Sequence, residues 1–478
     1  MNLSKLRLNR RELLEVAALG AAAGSLAGCA AEEPAAPALQ SNATQPGVNG
    51  VLPWSNWSGN QQCQPAHRKV PRSEDELREL LKNSTGKIRF VGSSHSFSPL
   101  VPTSDTMLSL AALRGVESVD AQTGEASIWG GTRLSQIGEP LWEQGRALIN
   151  MPDIDVQTLA GAIATSTHGT GATLGSLSSD VTRIRLVTAQ GDVLECSRDQ
   201  HEEIFNAART SLGALGAVSQ ICMRTRETYK LRERTWMMSL REGLERAPQL
   251  LAKHRHFEMY ALPHADYIQA ISLDETDAPD SPETAVNSSE AEFRKVAKVV
   301  ETLPFMRTWI INTAARNVDP EERTGRSYRI FGNVRSTRFN EMEYTVPAEQ
   351  GPACLEEILA TIRSQDVNVI FPLEYRYVQA DDIWLSPFYQ RPGCAISCHQ
   401  FHDLDYQKYF AAIEPIFWKY QGRPHPGKIH TLEAPQLAEL YPRWNDFLRI
   451  RRELDPQGRF LNEHLQRVFG AAQFGASW

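Results

Sequence analysis

Two runs of small residues, VGSSHS at 91–96 and AGAIATSTHGTG at 160–171, leave long lengths of backbone almost bare of side chains, and each carries one histidine. Interior backbone N–H and C=O groups must find partners, and glycine lets another body approach them closely. A fold containing both runs either packs that backbone against its own chain or brings a flat or anionic group against it. A third run, LGALGAVSQI at 212–221, has the same character. Gly169-x-Gly171 with Gly175 is not the dinucleotide fingerprint of a doubly wound sheet, because no strand feeds directly into it and no helix opens on its glycines. GRPHPGK at 422–428 falls short of a phosphate loop: Ile429 stands where Ser or Thr must hold magnesium, and Pro424 and Pro426 remove backbone donors. Such turns still offer rows of N–H and hydroxyl groups to a pyrophosphate.

Periodicity places these runs in an α+β frame. Ser73 followed by EDELRELLKNS reads as a capped helix with Glu76 completing a capping box, and IRFVG at 88–92 reads as a strand entering a turn. Short strands continue to about residue 227, with a hairpin-like Gln190-Gly191-Asp192. Beyond Tyr229 aromatic-rich strands (FEMYAL, YIQAISL, FNEMEYTVP, VIFPLEYRYV, CAISCHQF) alternate with helical stretches, interrupted by a polar loop at 276–290. The expected division is 1–29 signal, 30–52 disordered tether, 53–228 first domain, 229–453 second domain and 454–478 a segment returning to the first.

Arg10-Arg11, an apolar run over 16–27 and Leu26-Ala27-Gly28-Cys29 form a twin-arginine signal ending in a lipobox. The expectation is export in the folded state to the cell envelope or periplasm, with a lipid anchor on Cys29. The other six cysteines are scattered without ligand spacing and read as buried free thiols, so no metal site is expected. A net charge of -7 with no Lys/Arg block argues against nucleic acid as a partner. Glu374 and Arg376 are two apart in a strand-like run, so they share a face and form either a plain ion pair or a cavity pair.

In order and spacing, VGSSHS, AGAIATSTHGTG, LGALGAVSQI, NWSGN at 56–60, LEYRYVQADDIWLSP at 373–387, GRPHPGK and LDPQGRFLN at 454–462 resemble the vanillyl-alcohol-oxidase superfamily. Within it the chain is most similar to the sugar-1,4-lactone and alditol oxidases, over about 54–469. The resemblance implies an N-terminal PCMH-type FAD-binding domain and a C-terminal cap built on an antiparallel sheet with flanking helices. It implies FAD bound covalently through His95 and held by Gly92, Ser93, Ser94, Ser96, Gly161, Ala162, Thr165, His168, Gly169, Thr170, Gly171, Gly216 and Val218. It also implies oxidation of a CH–OH group of a sugar lactone, polyol or related carbohydrate, with oxygen or a membrane or periplasmic carrier taking the electrons.

The same resemblance assigns Glu374 and Arg376 to the flavin face, Arg376 for charge developing on the ring and Glu374 for orienting a hydroxyl. Lys428 matches the lysine of the family's RPHWGK, with Pro426 in place of tryptophan. His399 becomes the base, although the family's AIHFT reads Ala395-Ile396-Ser397-Cys398-His399 here, a shift of two residues along one strand face. Glu341 and Glu343 are equally readable as rim ion pairs or substrate contacts. Two alternatives stand beside the oxidase: a carbohydrate-binding envelope lipoprotein without turnover, and a flavin dehydrogenase using a quinone or cytochrome.

Overall fold

The computed structural model describes residues 50–282, 290–332 and 337–470; the signal, Cys29 and nearly all of the tether lie outside them. Ser73 caps the helix Glu74–Asn83 by accepting from the Glu76 N–H at 3.1 Å, while the Glu76 carboxylate reaches back to the Arg72 N–H at 2.7 Å. Leu77 and Leu81, one turn apart, bury its inner face.

Two larger sheets and two two-stranded ones build the first domain. A three-stranded parallel sheet sets Thr106–Ser109 between His67–Lys69 and Ile88–Val91. A five-stranded antiparallel sheet runs Val193–Ser197, Val181–Val187, Ala217–Met223, Ala126–Trp129, Val116–Val119. Arg89, fully buried, ties this domain to the far end of the chain: it donates to the carbonyls of Leu100 (2.7 Å), Leu212 (2.9 Å), Gly213 (3.0 Å) and Phe460.

The cap is an eight-stranded sheet in the order Glu321–Arg326, Lys230–Ser239, Tyr267–Glu275, His256–Ala261, Leu373–Val378, Gly393–Phe401, Phe339–Pro347, Arg423–Pro424. Helices including Gly351–Ser364 and Gln407–Lys419 pack on it through residues such as Leu355, Ile358 and Phe417. Its central strands are buried throughout, which is why the sequence there reads as aromatic and apolar rather than strictly alternating. Register sets Tyr260, Glu374, Ser397 and Glu343 in one cross-strand row; Glu258 lies opposite Arg376, and Glu341 opposite His399. Because side chains alternate by face, all of these polar groups project from the same side.

The six described cysteines are free, and all but the half-buried Cys63 are buried. Among the described residues no helix is long and apolar enough to cross a membrane.

Candidate active site

The first small-residue run follows the strand Ile88–Val91. A Cβ at Gly92 would overlap Thr158 Oγ1, and Ser94 takes a left-handed conformation at φ 60°. That turn is held from outside: Ser94 Oγ accepts from Trp54 Nε1 at 2.9 Å and the Ser94 carbonyl from the Trp57 N–H at 2.8 Å. Ser98 Oγ then donates to the Pro426 carbonyl and the Phe97 N–H to the Gly427 carbonyl, both at 2.7 Å, so the GRPHPGK strap lies against this loop.

A groove of about 1040 Å³ runs over the run, lined by Gly92, Ser93, Ser94, His95, Ser96, Gly161, Thr165, Gly216 and Val218 as the sequence predicts. It is also lined by Trp54, Gly130, Gly131, Thr158 and the Ser211–Gly213 turn, which sequence reasoning missed. The dipeptide Gly130-Gly131 was the available signal, since a Cβ at Gly131 would overlap the Leu110 carbonyl. The groove fits FAD: its walls leave no room for side chains at Gly92, Gly130, Gly131 and Gly216, and buried Ser93 Oγ has no hydrogen-bond partner among the described residues.

The second run behaves differently from the expectation. Ala162 is in the core, and His168, Gly169, Thr170 and Gly171 do not line the groove. Thr170 Oγ1 donates to the Phe257 carbonyl at 2.7 Å and the Gly171 N–H to the Tyr377 carbonyl at 2.8 Å, so the loop sews the first domain to the cap. The Gly171 N–H and the Thr170 hydroxyl are thus satisfied by two interior strands of the cap sheet.

At His95 and Gln157 the groove meets a pocket of about 480 Å³. His95 is 9% exposed, with the Trp57 ring 4.8 Å from its own. The pocket gathers Asp153, His168, Glu341, Glu343, Glu374, Arg376, His399, His425 and Lys428, all four predicted catalytic residues among them. Arg376 meets three carboxylates: Glu258 at 2.6 Å, Glu374 at 3.3 Å and Asp153 at 3.3 Å. Burial pushes the Glu258 carboxyl up to about 7 despite Arg376, with Asp153 and Glu374 adding to the rise. Burial disfavours the charged Arg376, but these three carboxylates outweigh it and hold the guanidinium ionised.

Glu341 bridges the other side, pairing with Lys428 Nζ and lying 3.6 Å from His399 Nε2, while His399 Nδ1 faces the Pro372 carbonyl at 3.3 Å. Burial works against charge on both bases, yet Glu341 raises the affinity of His399 and of Lys428 for their protons. Glu341 thus favours the protonated form of both groups. Glu343 accepts from Ser397 Oγ at 2.7 Å and meets His168 Nε2 at 2.9 Å. Ser397 occupies the position where the family motif has histidine, and the imidazole beside Glu343 comes instead from the first domain.

His168, Glu343 and His425 are the group among the described residues with metal-ligand character, one donor atom from each lying within 4.8 Å of the others. The Gly427 N–H donates to His425 Nδ1 at 3.1 Å, which places that ring's proton on Nε2, and His168 Nδ1 faces the Gly169 carbonyl at 2.8 Å.

A cofactor groove opening onto a buried pocket of paired carboxylates and cations defines a two-domain, FAD-dependent oxidoreductase acting on CH–OH groups. Residues 221–468 match the D-arabinono-1,4-lactone oxidase family and residues 65–197 the FAD binding domain family. L-gulono-1,4-lactone dehydrogenase of Mycobacterium tuberculosis is 34% identical over 426 residues, covering 87% of this chain and 99% of its own. L-gulonolactone oxidase of Bos taurus is 29% identical (88% and 99% covered) and alditol oxidase of a Streptomyces species 26% identical (86% and 98%). Cholesterol oxidase from Brevibacterium sterolicum shares the fold at a TM-score of 0.73 and 15% identity, covering 87% of this chain and 96% of that one. The chain belongs to the D-arabinono-1,4-lactone oxidase family.

Proposed function

We propose that the pocket takes a sugar-1,4-lactone and oxidises one of its ring or chain hydroxyl-bearing carbons to a carbonyl. The observation that carries this reading is the convergence of Lys428, His399 and Glu341 on a pocket that meets the cofactor groove at His95. When bound, FAD supplies the two-electron acceptor. The chain's own residues do the rest. Glu374 and the Glu343 carboxylate offer acceptors to substrate hydroxyls, and Lys428 and His399 face the oxygen whose carbon is oxidised. As the C–H bond breaks, that oxygen's proton becomes strongly acidic, so a weak base suffices. The Glu341 carboxylate, linked to both groups, is the acceptor in this unit that starts empty. Arg376 places a fixed positive charge where negative charge develops. Phe339 lines the pocket, with the Trp57 ring 5.1 Å behind it.

His95 is the proposed covalent attachment point, supported by its place where groove and pocket meet. Flavin fluorescence that stays with the denatured band in a gel, and disappears in His95→Ala, is the expected result; release in acid or detergent refutes the linkage. The substrate reading is tested by anaerobic bleaching with a panel of aldonolactones and polyols. Bleaching by a steroid or phenolic alcohol, and by none of the panel, rejects it.

Export by the twin-arginine route and a lipid anchor on Cys29 belong to the same proposal, supported by the sequence of residues 10–29. Palmitate labelling lost in Cys29→Ala tests the anchor. A second reading of the acceptor, a quinone or cytochrome rather than oxygen, is favoured by the relative named a dehydrogenase. Peroxide yield measured against dye reduction separates the two.

A further inference from the structure

A further, partly open chamber shares only Arg376 and Asp153 with the substrate pocket and nothing with the cofactor groove. Its apolar lining is Met151, Leu273, Ile330 and Phe331; its polar lining includes His256, Glu258 and Glu233. His256 Nδ1 faces the Thr170 carbonyl at 2.8 Å, which can only accept, so the ring proton sits on Nδ1 and Nε2 presents a lone pair. That nitrogen is buried and has no hydrogen-bond partner among the described residues, and burial holds the ring neutral, with its pKa down at about 4. A buried acceptor with nothing to accept carries a penalty of ~1–3 kcal/mol unless a ligand satisfies it.

His256 and Glu258 are two apart on the strand His256–Ala261, so they share a face about 6–7 Å apart along it. Such a gap suits about one or two small molecules that both donate and accept hydrogen bonds. The charged and titratable groups around Glu258 are Arg376 and Glu374 from the neighbouring strand, Asp153 from the adjoining loop, and His256 and Tyr260 on its own strand. Two strands away in the sheet, Glu233 is already bound by Arg323 at 2.8 and 2.9 Å.

We propose that this chamber binds water between His256 Nε2 and the Glu258 carboxyl group, and that Glu258 exchanges its proton there, making it a positioning residue for Arg376. A proton passes from the carboxyl oxygen to a chamber water as that water releases one of its own to bulk solvent, leaving the carboxylate ionised and the water neutral, so no other reactant is consumed. With Glu258 protonated, two carboxylates face the guanidinium; with it ionised, three do. The charge presented to the substrate pocket is thereby set from behind, without a proton crossing the substrate. The inference rests on the place of Arg376 at the pocket and not on the identity of the substrate.

The test is infrared difference spectroscopy on the full-length, flavin-loaded protein, titrated through neutrality in water and in deuterium oxide. The expected result is a protonated-carboxyl C=O band that disappears with a midpoint near pH 7. It is absent in Glu258→Gln and shifts promptly in deuterium oxide. In His256→Phe, which keeps a ring but removes the acceptor, the band persists and its isotope shift slows about tenfold or more. A wild-type protein with no carboxyl band titrating near neutrality overturns the proposal. So does a band that survives Glu258→Gln, or one that exchanges in His256→Phe as fast as in the wild type. Should Glu258→Gln fail to fold, the wild-type titration and the His256→Phe exchange rate still decide.

Discussion

His168 Nε2 lies 2.9 Å from Glu343 Oε1 with both side chains buried, so the glycine-rich loop of the first domain and a strand of the cap meet in one contact inside the pocket. Burial alone would raise the Glu343 carboxyl, but His168, His425 and Lys428 hold it well below the ordinary carboxylate range. Breaking such a pair from one side leaves an uncompensated buried group, worth ~3–5 kcal/mol. Glu343→Gln is expected to lower the unfolding free energy by about that amount in denaturant titration. A depressed carboxyl contributes stability above its unfolded pKa and loses it as pH falls, so the gap between variant and wild type should close in acid.

Glu341→Gln removes the carboxylate shared by Lys428 and His399. The expected outcome is a fall in kcat/KM of roughly 10²–10³-fold, the scale for losing one preorganised electrostatic contact. Because Glu341 raises the proton affinity of both partners, its loss lets them deprotonate at lower pH. The alkaline limb of the pH–rate profile should therefore move to lower pH, and a limb left unmoved would contradict the pairing.

Glu258 has the opposite sign from Glu343. Its folded carboxyl, raised to about 7, contributes stability that is full below the unfolded value near 4.5 and lost as pH rises through about 7. The shift corresponds to about 3 kcal/mol. The wild type should lose that stability relative to Glu258→Gln between acid and neutral pH, measured by chemical denaturation at a series of pH values.

Arg89→Met takes a donor from four carbonyl oxygens: Leu100 keeps a 3.4 Å bond from Asn462 Nδ2, while those of Leu212, Gly213 and Phe460 are stranded. At ~1–3 kcal/mol for each unpaired group, the expected destabilisation is on the order of 4 kcal/mol or more. Since Leu100, Leu212 and Gly213 line the cofactor groove, the protein should also be purified with less flavin, read from the ratio of flavin to protein absorbance.

The strands of the cap and the capped helix at Glu74–Asn83 were legible because period and capping are local. Gly92 to Ser96 were legible because a small-residue turn has few uses. The role of His168-Gly169-Thr170-Gly171 was not, since a bare backbone looks the same whether a cofactor or a strand satisfies it. Glu258 and Asp153 stayed hidden for another reason: nothing in FEMYAL or MPDID distinguishes a carboxylate beside Arg376 from one in solvent until sheet register sets them together. His399 was legible as a residue, but its pairing with Glu341 across the strand pair, which raises its proton affinity, was not.

The strap carrying Lys428 bonds to the first domain through Pro426 and Gly427, and to the cap where the His425 N–H meets the Glu343 carbonyl at 3.0 Å and the Ile429 N–H the Glu341 carbonyl at 2.9 Å. Neither half of the chain therefore owns its chemistry. Exchanging caps between relatives to alter substrate choice will yield working hybrids only where the incoming cap brings a strap matched to the host's Phe97–Ser98 turn, so specificity here is inherited as a seam and not as a module.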